Sequence, residues 1–486
     1  MDVARGGTGT KALSMPSIDK RQRAHGAGGL SRRTYLKAVA ATAQGALLGA
    51  LHAHPAAAQV SGQAGPPSGT FRIWISAYFP VTGDAMWKAA FDSFQAKNPG
   101  LKLDIGEGAV RGDAEVLAKV TTTVAAGDPE DVLHVGGVFT PDYARQGMIR
   151  SLDPYYANST LLQKTDLYPS WLSDSVYQGE NYALNFAGDS RLLYLNKQAW
   201  LKAGMNTQQP PRKWDELEDA VKRLTQRGPN GEITTLGFNP SSVAWWWWIW
   251  QLGGEVLDAT GEKVVLDRGD AAVKALELIM RLYNAQGGRQ AFTAFQLSLG
   301  ATEAASGNPS AGDYLSGFER GLVSTFLNTY STRSEQMRPQ GFMDDQWDFA
   351  GIPLPPLGRQ VNWGGSHAFA ITALAKNPDA GWAWLEHFSL PENDLAFAVH
   401  YDRIPMRPAT AASDDYLRGD PFLAHQVEQA WYRRFLPAVP GLSEILPIWN
   451  RPVAEVYTGQ KGPRDAVAQV ARDMQVALDR ALGKLR

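Results

Sequence analysis

Apolar residues recur at two distinct periods along this chain. Phe71, Ile73 and Ile75 alternate with Arg72, Trp74 and Ser76, the period of a β-strand. Met86, Ala89, Ala90 and Phe94 follow at helical spacing, Asn98-Pro99-Gly100 stops that helix, and Leu101, Leu103 and Ile105 alternate as a second strand. Strand, helix and strand joined by short links predict a βαβ unit of a parallel sheet. A helix is expected near Asp113–Ala126. Tyr177 to Leu184 alternates around Gly179, which predicts a short hairpin leading into a strand. Leu193 and Leu195 alternate with Tyr194 and Asn196, as in a buried strand with one wetter face. Pro210-Pro211 followed by Trp214, Asp215 and Glu216 reads as a helix entry, since carboxylates suit the positive end of a helix. Ala220, Val221 and Leu224 extend it. Trp245-Trp-Trp-Trp-Ile-Trp250 must cover more than one helical face. Later helices are predicted over Ala271–Tyr283, from Asn377-Pro378-Asp379 onward, and from Arg464 to the end, where Val467, Val470, Met474 and Leu478 form one apolar face.

The order of these segments resembles that of the family 1 extracellular solute-binding proteins, the maltodextrin-binding-like receptors of ABC importers. The resemblance rests on the Phe94-x-x-x-Asn98-Pro-Gly100 opening, Gly127-Asp-Pro-Glu-Asp-Val132 and Gly147-Met-Ile-Arg-Ser-Leu-Asp-Pro154. It continues through Asp189 to Lys197, Pro210 to Leu217, Phe318-Glu-Arg-Gly-Leu-Val323 and Phe349 to Pro355, then Trp363 to Ile371 and Arg403-Ile-Pro-Met-Arg407. Each motif is weak alone; their order covers residues 70–486. The resemblance implies an α/β, type II-like periplasmic binding fold of two lobes joined by crossing hinge strands. It places residues 70–187 and 366–405 in an N-terminal lobe and 188–365 and 406–486 in a C-terminal lobe. Some of the tryptophan run is then expected to face the cleft between them.

The first 58 residues differ from the rest. Ser31-Arg32-Arg33-Thr34-Tyr35-Leu36-Lys37 matches a twin-arginine export pattern, an Ala-rich segment follows, and Ala56-Ala57-Ala58 offers a cleavage site before Gln59. Residues 59–69 read as a flexible leader. Cleavage after Ala58 leaves 39 Lys/Arg against 47 Asp/Glu, a net charge of −8, which argues against nucleic-acid or anionic-membrane partners. The absence of cysteine excludes disulfides, thiol catalysis and a lipid-anchored cysteine. A monomer free in the periplasm is expected.

Sugar binding needs aromatic faces against C–H surfaces and carboxylates or amides for paired hydroxyls. The resemblance places Asp189 where the family carries a sugar-binding carboxylate, Tyr78 and Phe79 on a sugar-contacting loop, and Tyr330 on an aromatic platform. His134 lies with Gly136 and Gly137 on the next cleft loop. Trp363 adds another aromatic, and Gly364 and Gly365 would let backbone N–H groups approach a hydroxyl. Trp246 and Trp247 of the tryptophan run, Trp449 and Arg407 complete the candidates.

No Gly-x-Ser-x-Gly, His-Glu-x-x-His or phosphate-loop motif occurs, and no cofactor or metal is expected. The predicted function is a receptor closing on a mono- or oligosaccharide, or a related polyol, and recognised by an ABC permease. A glycoside hydrolase is the rival, but Asp189 lacks a convincing second carboxylate. An acidic sugar or sugar phosphate, held by Arg191, Arg111 and Arg407, is a further alternative within the same fold. Tyr155-Tyr156 resembles the tyrosine pair of iron receptors, but it follows Leu-Asp-Pro and is expected at a helix-start surface.

Overall fold

The computed structural model describes residues 67–109, 113–240, 245–299, 311–434, 439, 441–445 and 447–485. The expected export signal, most of the 59–69 leader and Arg111 lie outside the described residues. The opening βαβ unit is β1 (Gly69–Ile75), α1 (Ala85–Lys97) and β2 (Leu101–Glu107). The Asp84 side chain caps α1 by accepting the Met86 and Trp87 N–H groups. Next come α2 (Asp113–Ala125) and β3 (Val132–Gly136). The later strands are β4 (Leu184–Gly188), β5 (Arg191–Asn196), β6 (Thr325–Thr329), β7 (Trp347–Ala350), β8 (Asn362–Trp363), β9 (Ser366–Ile371) and β10 (Arg433–Arg434).

The first sheet has the order β2-β1-β3-β9-β4. β1 runs parallel to β2 and β3, with Phe71 opposite Leu103 and Ile73 opposite Val132. β9 lies antiparallel between β3 and β4. One face is covered by α1 and by the helices Pro378–Phe388 and Pro391–Tyr401, whose Trp384, Phe388 and Phe397 pack with Phe71, Phe186 and Phe369. The opposite face buries Trp74, Leu133, Val135 and Ala368 against Val116 and Val120 of α2. Both faces are therefore dry, and Trp74, on the more polar side of the β1 alternation, is buried too. Tyr155 and Tyr156 are not surface residues: both pack against Trp382 in this lobe's core.

The second sheet is β6-β5-β7, antiparallel throughout. The wetter face expected for Tyr194 and Asn196 is absent, because their polar groups are satisfied internally. Tyr194 Oη donates to the Thr329 carbonyl at 2.8 Å, and Asn196 Nδ2 to the Phe318 carbonyl at 2.6 Å. The predicted helix entry is present over Trp214–Leu224, where Glu216 accepts the Arg212 and Lys213 N–H groups. The tryptophan run forms the helix Trp245–Gln251, with Trp246 as its partly exposed member. The final helix, Pro463–Ala481, buries the predicted Val467, Val470, Met474 and Leu478. The expected two-lobed α/β architecture thus has one core around the second sheet and two more on the opposite faces of the first.

Chain crossings join the lobes. Residues 188–191 and 362–366 lie side by side, and the 402–434 stretch returns beside them. Behind this region, buried Arg333 makes two bonds of 3.0 Å to the Asp402 carboxylate and one of 2.6 Å to Asp420. Its guanidinium also lies 4.0 Å from the Phe422 ring centre. Among the described residues no helix is long and apolar enough to cross a membrane.

Candidate functional site

The carboxyl ends of β1 and β3 and the start of antiparallel β9 meet at one edge of the first sheet, His367 pairing with Gly136. Loops diverge at such strand ends and leave a crevice. The turn after β1 carries Tyr78 and Phe79. Tyr78 is half-buried, its ring centre 4.8 Å from that of His367. Phe79 is fully buried beneath it, in contact with Phe186, Phe397, Tyr401 and both histidines, so it supports the wall from inside the core. His134 is buried as well. Its Nδ1 accepts the Ser76 backbone N–H at 3.2 Å, and its Nε2 lies 3.1 Å from His367 Nδ1.

Burial, and secondarily the neighbouring His367, hold the His134 pKa well below the ordinary value. The folded protein therefore resists a proton that the unfolded ring accepts below about pH 6.5. Stability from this group is complete above that pH and declines as pH falls below it. Urea denaturation at stepped pH values should show a decline over this range that His134→Phe shallows.

A second cluster is built on the crossings. The Asp189 N–H donates to the Gly365 carbonyl at 3.2 Å, and Asp189 Oδ1 accepts the Gly365 N–H at 2.8 Å. Arg191 Nη1 lies 3.0 Å from the same oxygen but is too poorly aligned for a hydrogen bond. The Arg191 guanidinium sits 4.4 Å from the Trp363 ring centre. Asn362 fixes the Arg191 backbone from both sides, its Oδ1 accepting the N–H at 2.7 Å and its Nδ2 donating to the carbonyl at 2.8 Å. Trp246 stands edge-on to Trp363 at 6.1 Å and stacks on Trp449 at 4.1 Å. Asp189, Trp363, Gly364, Gly365, Trp246 and Trp449 thus form one cluster, and Tyr78, Phe79 and His134 another.

The remaining candidates belong to neither. Trp247 is fully buried and donates from Nε1 to the Val361 carbonyl at 2.9 Å. Tyr330 is fully buried against Phe422, so in this conformation it offers no open platform. Arg407 is spent on residues of the first lobe: it bonds the Ser389 and Leu161 carbonyls at 2.7 and 2.8 Å and pairs with Asp166 at 3.1 Å. The N–H groups of Gly364 and Gly365 already bond the Arg434 carbonyl and Asp189. The glycine at 364 answers a different need, because a Cβ there would lie 1.8 Å from the Asp189 carbonyl oxygen.

Two residues of these clusters, His367 and Arg191, are not among the sugar-site candidates of the sequence. His367 stands in the Trp363–Ile371 segment, but its contact with His134 depends on the β3–β9 pairing. The sequence offers Arg191 only for an acidic ligand, and its stacking on Trp363 needs the two crossings brought together.

A family model described as bacterial extracellular solute-binding protein matches residues 78–394. A Brucella abortus protein described as a binding protein is 27% identical over 406 residues, 83% of this chain and 92% of the relative. Among solved structures, the sugar-binding protein MalE of Xanthomonas citri aligns with a TM-score of 0.69 at 19% identity, over 86% of this chain and 100% of that one. An ABC transporter solute-binding protein of Thermotoga lettingae, bound with α-D-tagatose, aligns with a TM-score of 0.66 at 19% identity, over 85% and 100%. At these identities the structural likeness establishes the fold.

Proposed function

The chain belongs to the bacterial extracellular solute-binding protein family, and from that premise we propose that it is the receptor of an ABC importer for a neutral mono- or oligosaccharide or related polyol. The sugar binds between the Tyr78 wall and the Asp189, Trp246 and Trp363 wall, and the closed form presents itself to a membrane permease. The protein acts as a monomer in the periplasm. Closure draws on the ligand's higher affinity for the closed state.

The observation that carries neutrality is the pairing of charge. Around the crossings Arg191, Arg403, Arg407, Arg433 and Arg434 each face a carboxylate: Asp189, Glu335, Asp166, Asp174 and Glu255 respectively. An acidic sugar or sugar phosphate would have to displace one of these partners. Aromatic faces beside a single carboxylate suit C–H surfaces and hydroxyls instead. The neighbouring carboxylate, Asp174, is buried under Arg433 and Ser366 and is poorly placed to act with Asp189 in hydrolysis. Tagatose bound to the Thermotoga relative and the sugar-binding role of the Xanthomonas one point the same way.

A thermal-shift screen of the protein from Gln59 onward tests this. Maltose, D-tagatose, sorbitol, galacturonate and glycerol 3-phosphate would be compared. A neutral sugar at 100 times its dissociation constant should stabilise by about 2.7 kcal/mol and be recovered unchanged. A response confined to the two anions would overturn neutrality, and consumption of the sugar would indicate an enzyme.

A further inference from the structure

The segment that follows β3 belongs to both lobes. The 3₁₀ turn Gly137–Phe139 and the helix Thr140–Arg145 continue directly from the carboxyl end of β3. Tyr143 and Ala144 pack on the first sheet beside Leu133, Val135 and Ala368. Val138 is buried instead in the core around the second sheet, and Phe139 lies against both. Buried Asp142 then accepts the backbone N–H of Gly441, 299 residues further on. Gly441 stands on the second lobe, where Leu442 and Ile445 of the short helix that follows it join the core of the second sheet. Its φ of +79° suits glycine, and a Cβ there would lie 2.6 Å from that of Ala481 in the final helix, so the turn is packed firmly on its own lobe. Neither Asp142 nor Gly441 lies on a crossing.

We infer that Asp142 is a clasp between the lobes, whose carboxylate holds the Gly441 turn in the closed form and releases it when the lobes part. The sugar-receptor reading supplies only what closes the cleft; the clasp itself does not rest on it. Hinge closure moves two packed bodies about their crossings. A contact made by both bodies away from the crossings is present in one state and lost in the other, so its free energy counts wholly toward closure. The sugar gains from it without touching Asp142. Burial above all pushes the Asp142 pKa above the ordinary carboxylate value; the Gly441 N–H and Arg145 pull it down, and Glu444 pushes it up again. A charge is therefore not what the joint requires. The neutral side chain of asparagine, which keeps a carbonyl oxygen, should serve the Gly441 N–H as well.

The test uses the protein from Gln59 onward, whose lack of cysteine allows two to be introduced. Thr122→Cys on the first lobe and Arg451→Cys on the second, both exposed positions, carry nitroxide labels. Pulsed electron paramagnetic resonance reads the distances between them. The labelled parent should show a short distance, that of the present structure, and a longer one, with maltose or D-tagatose enriching the short one. In Asp142→Ala the ratio of short to long should fall about tenfold, and sugar should bind about tenfold more weakly. Asp142→Asn should stay within about threefold of the parent in both. A short component unchanged in Asp142→Ala, or missing from the parent, would overturn the clasp. So would an Asp142→Ala chain that no longer folds, because the contact would then be part of the fold itself. Affinity lost with unaltered distances would overturn it too, by placing Asp142 on the sugar. If neither sugar binds, the receptor reading loses its support, and the ligand-free distances alone uphold or overturn the clasp.

Discussion

Gly364→Val is expected to destabilise the protein by about 2–4 kcal/mol, because the crossing has no room for a side chain. A Cβ at this position would lie 1.8 Å from the Asp189 carbonyl oxygen and 3.2 Å from Arg433 Cδ. The obstructing atom is backbone, so a rotamer change cannot relieve the clash and the 188–191 segment must move. That movement breaks the bonds between Asp189 and Gly365 and shifts the one carboxylate of the proposed sugar site. Urea denaturation should show a lowered midpoint with an unchanged slope. Any sugar identified in the screen should bind at least tenfold more weakly, corresponding to about 1.4 kcal/mol. A variant with parental stability would mean that the crossing is looser than its geometry indicates.

Arg333→Met should be costlier still, at about 3–5 kcal/mol. Arg333 and Asp402 are both almost wholly buried, with side-chain exposures of 2% and 5%. Methionine fills much of the volume but leaves the Asp402 carboxylate without the cation that justifies its burial. Asp420, with 30% side-chain exposure, can turn to solvent and contributes less. Adding Asp402→Asn to the single variant should therefore recover part of the loss, and equilibrium unfolding of the parent, both singles and the double would measure the coupling. If Arg333→Met proved neutral, the pair would be serving only as a spacer.

The elements were legible in the sequence wherever one period dominated. The β1–α1–β2 opening, the Trp214 entry and the Val467–Leu478 face all follow from local spacing. Face assignments failed where burial is two-sided. Asn196 looks solvent-facing because alternation assumes one wet face, yet its amide is bonded to Phe318 inside the lobe. Tyr155 and Tyr156 failed similarly, through a Trp382 that arrives from far along the chain. At the site, the resemblance pointed to aromatics and a carboxylate, but the run of tryptophans could not separate Trp246, at the stacked edge, from Trp247, one position deeper. The difference is set by a helix rotation that only Trp449 and Trp363 reveal. His367 was hidden for the same reason, since strand pairing makes it a neighbour of His134.

The place of β9 in the first sheet also governs when that lobe can form. β9 sits between β3 and β4, and its partners on β3 precede it by more than two hundred residues. During synthesis, β1, β2 and β3 can pair early, but β3 keeps an open, apolar edge until Ser366–Ile371 has been made. Exposed edges of this kind invite wrong pairing, and long-range strand contacts form slowly. The nascent chain therefore carries an unfinished first lobe through the synthesis of most of the second. A fragment ending before Ser366 lacks the strand that closes the gap.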